Sequence, residues 1–151
     1  MDNCFNDIKR EELQAFKDRY SRIDLDLIVP FVATVKRSHW VLNLLESFFA
    51  QHGLSQGRFA VLIELMRCHA EGPVSPVELS GRYGAKSATI TGLVDNLERD
   101  GLVERVPNPN DRRRVDLRLT KDGLAFMENF LPQHYAMMEE AFSDLDKEER
   151  Q

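Results

Sequence analysis

The segment between residues 75 and 101 constrains the fold most, because it carries two helix signals separated by a short turn. Ser75-Pro76-Val77-Glu78 is typical of a helix start: Ser can cap the first turn, Pro fits the first helical position, and Glu completes a capping box. Gly84 ends this helix after two turns. A longer helix is predicted from about Ser87 to Asp100, and Gly101 ends it, since Gly adopts the left-handed conformation readily. Two helices joined in this way form a helix-turn-helix.

Helical spacing predicts which side chains of this pair are buried. In the longer helix, apolar residues recur every three or four positions, so one face belongs to the core. In the short helix, Leu79 and Tyr83 are expected to face inward. The core face of the longer helix consists of Ile90, Leu93, Val94 and Leu97.

Alternating apolar and polar residues after Gly101 predict a two-stranded hairpin. Residues 102–106 form the first strand, and residues 107–111 supply the Pro, Asn and Asp of a turn. Thr120 is a candidate cap for the helix that follows. In the second strand, Val115, Leu117 and Leu119 alternate with Asp116 and Arg118.

Helices are also predicted on both sides of this segment. Residues 1–24 carry Leu13, Phe16 and Tyr20 at helical spacing, and residues 27–50 form the most apolar stretch, which indicates burial in a core or a subunit interface. Gly53 ends that helix and Ser55 caps the next. The fold class is therefore mainly α with a small β-hairpin (α+β). In the last helix, which Pro132 can kink, one side carries Phe126, Phe130, His134, Met137, Met138 and Phe142.

The distribution of charge predicts a polyanionic partner, although the net charge of the chain is −5. Residues 105–121 carry six basic residues against two acidic ones. Three consecutive arginines at the tip of the hairpin repel one another, and a polyanion relieves that repulsion. Arginine is also the side chain that enters a narrow DNA minor groove. The alternative is a solvated charged loop. The tip runs from Asn108 to Arg114, and its candidates for DNA contact are Asp111, Arg112, Arg113 and Arg114.

The start of the longer helix has the small polar side chains of a helix that lies in the major groove of double-stranded DNA. Hydroxyls can bond to bases or phosphates, and methyl groups can contact thymine. Asn96 and Arg99 lie further along and are expected to contact phosphates. The alternative is an ordinary three-helix core with a solvated face. The base-reading candidates are Ser87, Ala88, Thr89 and Thr91.

Roughly residues 25–145 resemble the multiple-antibiotic-resistance regulator (MarR) family of winged helix-turn-helix repressors. The resemblance is specific in the wing, where Asp111-Arg112-Arg113 matches an Asp-x-Arg motif and is followed by Leu119-Thr120 and Gly123. The segments Leu79–Tyr83, Ala88–Asp95 and Leu97–Arg105 match the family's helices and first strand, and Gly53–Ser55 with Arg58–Leu62 match an upstream helix.

The resemblance implies roles for individual residues and for whole segments. It implies that Asp111 braces the wing by pairing with basic groups and that Arg113 enters the minor groove. It also implies a homodimer on a pseudo-palindromic operator, with dimerisation helices in residues 1–54 and 121–151 and the DNA-binding domain in residues 55–120. A cytoplasmic location is expected.

Two features depart from the family pattern. Lys86 stands where the family usually has a capping Ser, so either the helix starts at Ser87 or Lys86 contacts phosphate. The chain also stops at Gln151, where the family has a further dimerisation helix; that helix is either absent from this chain or replaced by the N-terminal one.

The resemblance further implies a small phenolic or aromatic carboxylate effector, bound between the dimer helices and the DNA-binding part. Core packing is the alternative for the aromatic candidates, and a solvated helix face for the arginines. Ala60 stands where the urate-responsive branch has aspartate, which counts against urate. The candidate pocket residues are His39, Trp40, Arg58, Phe59 and Arg67.

Other functions have weaker support in the sequence. Cys4 suggests a redox-sensing repressor as an alternative, but the residues around Cys4 do not match the peroxide-sensing branch of the family. An enzyme using Cys68 is not expected, because the sequence has no nucleophile elbow, phosphate loop or metal-ligand spacing, and no cofactor or metal is expected. A winged-helix protein-interaction module without DNA binding is the remaining alternative. No apolar run reaches the roughly 18 residues of a membrane span.

Overall fold

The computed structural model describes residues 24–84, 86–108, 110–111 and 113–149, together with Gln14, Lys17, Arg19 and Tyr20. The predicted helix in residues 1–24 depends on Leu13 and Phe16, which lie outside this part, as do Cys4 and Arg112. In the described part, the elements are α1 (Leu25–Gln51), α2 (Gln56–Arg67), α3 (Pro76–Tyr83), α4 (Ser87–Arg99), β1 (Val103–Pro107), β2 (Val115–Leu119) and α5 (Lys121–Glu149). This order confirms the predicted fold class.

The helix boundaries follow local chemistry. The Ser55 hydroxyl accepts the backbone N–H of Arg58 at 3.3 Å, and the Ser75 hydroxyl accepts that of Glu78 at 3.2 Å. Gly53 and Gly84 end α1 and α3 with φ of +66° and +70°. Each of these boundaries was predicted from the sequence. Helix α5 continues through Pro132.

The chain forms two compact units, residues 1–45 and residues 46–151. The first contains most of α1. The second contains the helix-turn-helix, the hairpin and α5 around one hydrophobic core. The most deeply buried side chains of that core include Leu62, Leu79, Ile90, Leu97, Leu117, Met127 and Phe130.

The hairpin is antiparallel and pairs Val103 with Leu119 at one end and Pro107 with Val115 at the other. Backbone hydrogen bonds of 2.9 and 2.8 Å between Val74 and Leu117 attach the segment before α3 to β2. The alternation of the second strand is broken, since Val115 is 45% exposed whereas Asp116 is only 3% exposed. Asp116 is buried because its carboxylate has a hydrogen-bond donor nearby in the turn, described below.

One inward prediction was wrong. Leu79 is fully buried, but Tyr83 is 39% exposed. Tyr83 is the last residue of α3, and the left-handed Gly84 follows it at once. With only two turns, the helix covers the core through Leu79 and leaves its final side chain at the surface.

Thr120 joins the hairpin to α5 and to the end of α4. Its hydroxyl accepts the N–H of Gly123 at 2.9 Å and donates to the carbonyl of Gly101 at 2.6 Å. Its backbone N–H donates to the carbonyl of Leu102 at 3.1 Å. The predicted cap is therefore confirmed, and it also holds the base of the hairpin. Among the described helices, none is long and apolar enough to cross a membrane.

Candidate nucleic-acid interface

Helix α4 divides into a buried face and an exposed face. Ile90, Val94 and Leu97 are buried against the core of the second unit. The helix begins at Ser87, in agreement with one of the two alternatives that the sequence leaves open. Lys86 occupies the capping position with φ −66° and ψ 142°, and its side chain makes no capping hydrogen bond. The exposed face carries Ser87, Ala88, Thr89 and Thr91, all candidates for base contacts.

Intrahelical hydrogen bonds distinguish among the polar side chains of α4. The Thr91 hydroxyl donates to the Ser87 carbonyl at 3.0 Å, and the Asn96 amide donates to the Gly92 carbonyl at 2.9 Å. The hydroxyl of Thr91 is therefore already engaged as a donor within the helix. The hydroxyls of Ser87 and Thr89 make no hydrogen bond to the described residues, so they are available to an external partner.

The wing tip, residues 108–114, is shaped by hydrogen bonds to its own backbone. The Asn108 side-chain oxygen accepts the N–H groups of Asn110 and Asp111 at 2.8 and 2.9 Å. The Asp111 carboxylate accepts the N–H of Arg113 at 3.0 Å. This Asx turn is typical of Asp, which readily accepts from the backbone two residues ahead. The pairing of Asp111 with basic side chains, which the family resemblance implies, stays a prediction.

The cations of the second unit fall into two groups. Five arginines are paired with carboxylates: Arg58 with Asp100, Arg67 with Glu64, Arg82 with Glu78, Arg105 with Asp95 and Glu98, and Arg118 with Glu104. Within the described residues to position 143, Lys86, Arg99, Arg113, Arg114 and Lys121 are exposed and make no ion pair. Four of these five belong to the recognition helix, its cap or the wing tip.

Arg105 joins the first hairpin strand to α4. Its guanidinium donates to the Asp95 carboxylate at 2.7 Å and also to Glu98. The hydrogen bond that Arg105 donates to Asp95 is the main cause of the raised pKa of Arg105. From the sequence, Arg105 counted toward a basic segment, but these contacts neutralise its charge. Among the described residues of the basic segment 105–121, the cations without an ion pair are therefore fewer than predicted: Arg113 and Arg114 at the tip, and Lys121.

The candidate pocket residues are distributed over both units. His39 and Trp40 lie on the part of α1 in the first unit and are exposed. Arg58, on α2 of the second unit, donates to the Gly53 carbonyl at 2.8 Å and pairs with Asp100. Arg67, at the other end of α2, pairs with Glu64 at 2.8 Å. Within α2, only Arg58 and Phe59 are adjacent.

Phe59 belongs to an aromatic cluster that surrounds His134. The ring centroids of Phe59, Phe49 and Phe130 lie 5.0, 5.6 and 5.8 Å from that of His134. His134 is 7% exposed, and its Nδ1 atom has no hydrogen-bond partner among the described residues. Burial lowers the pKa of His134, because the charged form would lose its hydration.

Cys68 and the histidines form no metal site in the described part of the chain, where three candidate ligands never cluster. Cys68 is buried, and Arg82 donates to its sulfur at 3.0 Å. The sequence had singled out Cys68 only as a weak candidate nucleophile. The neighbouring guanidinium could not have been inferred from sequence spacing, because the contact joins the end of α2 to the separate helix α3.

A helix-turn-helix followed by a two-stranded antiparallel hairpin, the wing, defines a winged helix-turn-helix protein. The model of the MarR family matches residues 54–115. The repressor YetL of Bacillus subtilis is 33% identical over 142 residues, which cover 94% of this chain and 84% of YetL. This chain belongs to the MarR family.

Other relatives agree with this assignment. The transcriptional repressor MprA of Escherichia coli is 29% identical over 153 residues, covering 99% of this chain and 84% of MprA. A crystal structure of a mutant MarR from E. coli complexed with operator DNA matches with a TM-score of 0.64 and 29% identity, covering 81% of this chain and 87% of that one. Family membership confirms the sequence-based resemblance. The family comprises DNA-binding regulators without enzymatic activity, in agreement with the expectation that this chain is not an enzyme.

Proposed function

We propose that this chain is a sequence-specific DNA-binding repressor that acts as a homodimer. The observation that carries the proposal is the division of the cations into two groups. The other described arginines of the second unit have carboxylate partners, whereas Arg99, Arg113 and Arg114 make no ion pair with the described residues. Unpaired cations on an acidic protein attract a polyanion most strongly where they cluster.

In this proposal, α4 lies in the major groove and the wing reaches an adjacent minor groove. Ser87 and Thr89 are the candidates for contacts to base edges, since their hydroxyls make no hydrogen bond to the described residues. Arg113 and Arg114 at the tip suit the negative potential of a narrow minor groove. Lys86 and Arg99, at the two ends of α4, suit flanking phosphates.

The homodimer is supported by exposed apolar side chains on the first and last helices. On α1, Leu27 and Phe31 are exposed, and on α5, Tyr135 and Phe142 are exposed, the last by 69%. Large exposed apolar groups on each of these two helices indicate surfaces that a partner covers. A two-fold dimer would present two copies of α4 to half-sites about one helical turn apart, which gives a pseudo-palindromic operator. The assignment of residues 1–54 and 121–151 to dimerisation belongs to this proposal.

A small aromatic carboxylate is proposed as the effector that releases DNA. Arg58 is the candidate partner of its carboxylate, since a ligand could take the place of Asp100. Because Asp100 ends α4, such an exchange would alter the recognition helix directly. Titration of a DNA complex with benzoate and salicylate tests this step, and Arg58→Gln should abolish any release. Equal release from both proteins would remove Arg58 from the pocket.

The test of DNA binding is a footprint on the DNA upstream of the protein's own gene. A protected site with two-fold symmetry is expected. Absence of binding at low salt, where phosphate contacts are strongest, would refute the proposal and favour the protein-interaction module.

Two alanine variants on one hairpin sharpen this test, because they change the charge equally. Arg113→Ala should weaken specific and non-specific binding alike. It should also reduce by about one the salt slope, which is the steepness with which the logarithm of the binding constant falls with the logarithm of the salt concentration. Arg118→Ala removes an arginine that is already paired with Glu104, so the slope should hold. Equal slopes in both variants would contradict the placement of Arg113 at DNA. Substitution of Ser87 or Thr89 should instead change sequence preference.

A further inference from the structure

A buried carboxylate lies at the base of the wing tip. Asp116 is 3% exposed and stands opposite Val106 in the hairpin. One of its oxygens, Oδ1, is buried and has no hydrogen-bond partner among the described residues. A partly satisfied carboxylate in a core costs free energy, because its unpaired oxygen has lost its hydration without gaining a hydrogen bond. Stability alone therefore does not account for an acid at this position.

The other oxygen of Asp116 holds the residue that shapes the tip. Asp116 Oδ2 accepts the side-chain amide N–H of Asn108 at 2.6 Å. The opposite end of that amide accepts from the backbone of Asn110 and Asp111. Asp111 in turn accepts the N–H of Arg113 through its side chain and that of Arg114, at 2.9 Å, through its carbonyl.

The carboxylate determines which way the Asn108 amide points. An amide side chain can rotate to exchange its oxygen and nitrogen, but an ionised carboxylate only accepts hydrogen bonds. With Asp116 beside it, the nitrogen of Asn108 must face the core. Its oxygen must then face the N–H groups of the tip.

We propose that Asp116 is a positioning residue for DNA binding, which acts through Asn108 to hold Arg113 and Arg114 in place. The inference rests on the proposed function, since it assumes that these arginines contact DNA. Asp116 itself is buried and touches no DNA. Its contribution is to keep the tip in one conformation before DNA arrives, so that binding does not have to order it.

The test compares Asp116→Leu with Asp116→Asn in the full-length protein. Leucine fills the buried site without an acceptor, whereas asparagine keeps an oxygen that Asn108 can reach. Asp116→Leu should unfold at the same or higher urea concentration than wild type. It should nevertheless bind an operator duplex about tenfold more weakly, the loss of one arginine contact, with a salt slope lower by about one. Asp116→Asn should restore binding to within about twofold.

A double variant of the two arginines, Arg113→Ala with Arg114→Ala, and a measurement without DNA complete the design. Adding Asp116→Leu to this double variant should weaken binding no further, because the contacts that Asp116 positions are already absent. In free protein, the amide order parameters of Asn110, Asp111 and Arg113 should fall from about 0.85 toward about 0.6 in Asp116→Leu.

The outcomes separate this inference from the proposed function. Unchanged affinity and salt slope in Asp116→Leu, a further loss when Asp116→Leu is added to the double variant, or a tip that stays rigid would each overturn the role of Asp116. Parallel losses of stability and affinity would also overturn it, because they describe a structural residue. If wild type binds no duplex at low salt, the proposed function fails, and the role of Asp116 in DNA binding fails with it even where the tip loosens.

Discussion

Gly123→Ala tests how tightly α5 joins the base of the hairpin. A Cβ atom at this position would stand 2.9 Å from the carbonyl carbon of Leu102, 3.2 Å from its Cα, and closer still to its oxygen. Ordinary carbon contacts lie at about 3.5–4.0 Å, so backbone must move. It cannot move freely, because Leu102 accepts the N–H of Thr120, whose hydroxyl binds Gly101 and caps α5.

The expected size of the effect follows from two opposing terms. Replacing Gly by Ala inside a helix normally stabilises by about 1 kcal/mol. Overpacking typically costs about 1–3 kcal/mol, and a clash with backbone belongs near the upper end. The net loss for Gly123→Ala is therefore about 2 kcal/mol, which for a chain of this size lowers the Tm by about 4–8 °C.

The assay is urea and thermal unfolding of the two alanine variants beside wild type. Gly81→Ala is the matched control, because a Cβ at Gly81 in α3 meets no atom within 4 Å. It should be as stable as wild type or up to about 1 kcal/mol more stable. The reasoning is refuted if Gly123→Ala matches Gly81→Ala in stability.

Three further predictions concern stability and binding. Because burial lowers the pKa of His134, His134 is protonated at a higher pH in the unfolded chain than in the folded one. The free energy of unfolding should therefore fall as the pH drops below about 6.5 and stop falling below the lowered pKa. His134→Phe should flatten this part of a pH series of urea midpoints, and an unchanged curve would contradict the reasoning. Arg105→Ala should cost only about 0.2–1 kcal/mol, as for exposed ion pairs, yet weaken DNA binding by anisotropy more than Arg118→Ala, since it leaves two carboxylates unpaired on α4; equal affinities would argue against this role. Ser75→Ala should lower the free energy of unfolding by about 1 kcal/mol through loss of the α3 cap, whereas the exposed Val77→Ala should not.

The helix boundaries could be predicted because they depend on neighbours in the chain. Ser75 and Thr120 cap backbone groups three residues ahead, and Gly84 adopts a conformation that few other residues tolerate. Tyr83 could not be placed by the same means. Its helical spacing predicted burial, but α3 ends at Tyr83 and the core does not extend to this side chain. How far the core extends is determined by the tertiary packing.

The candidate interface was predictable in position but not in its electrostatics. Arg113 and Arg105 look alike in sequence, as arginines of one basic segment. In the folded chain, Asp95 and Glu98 neutralise one of them and leave the other free. The burial of Asp116 was not predictable either, because the alternation of apolar and polar residues in the strand assigns Asp116 to the surface. Its burial depends on Asn108 across the turn, a contact that periodicity does not report.

The two faces of α4 have a consequence for how such a regulator can evolve. Ile90, Val94 and Leu97 anchor the helix, while Ser87 and Thr89 stand exposed with no partner among the described residues. Exposed substitutions usually change stability by about 0.5 kcal/mol or less. A gene duplicate could therefore drift at these two positions and acquire a new operator without first losing its fold. In this family architecture, the target of regulation can diverge in small steps that selection against misfolding would not oppose.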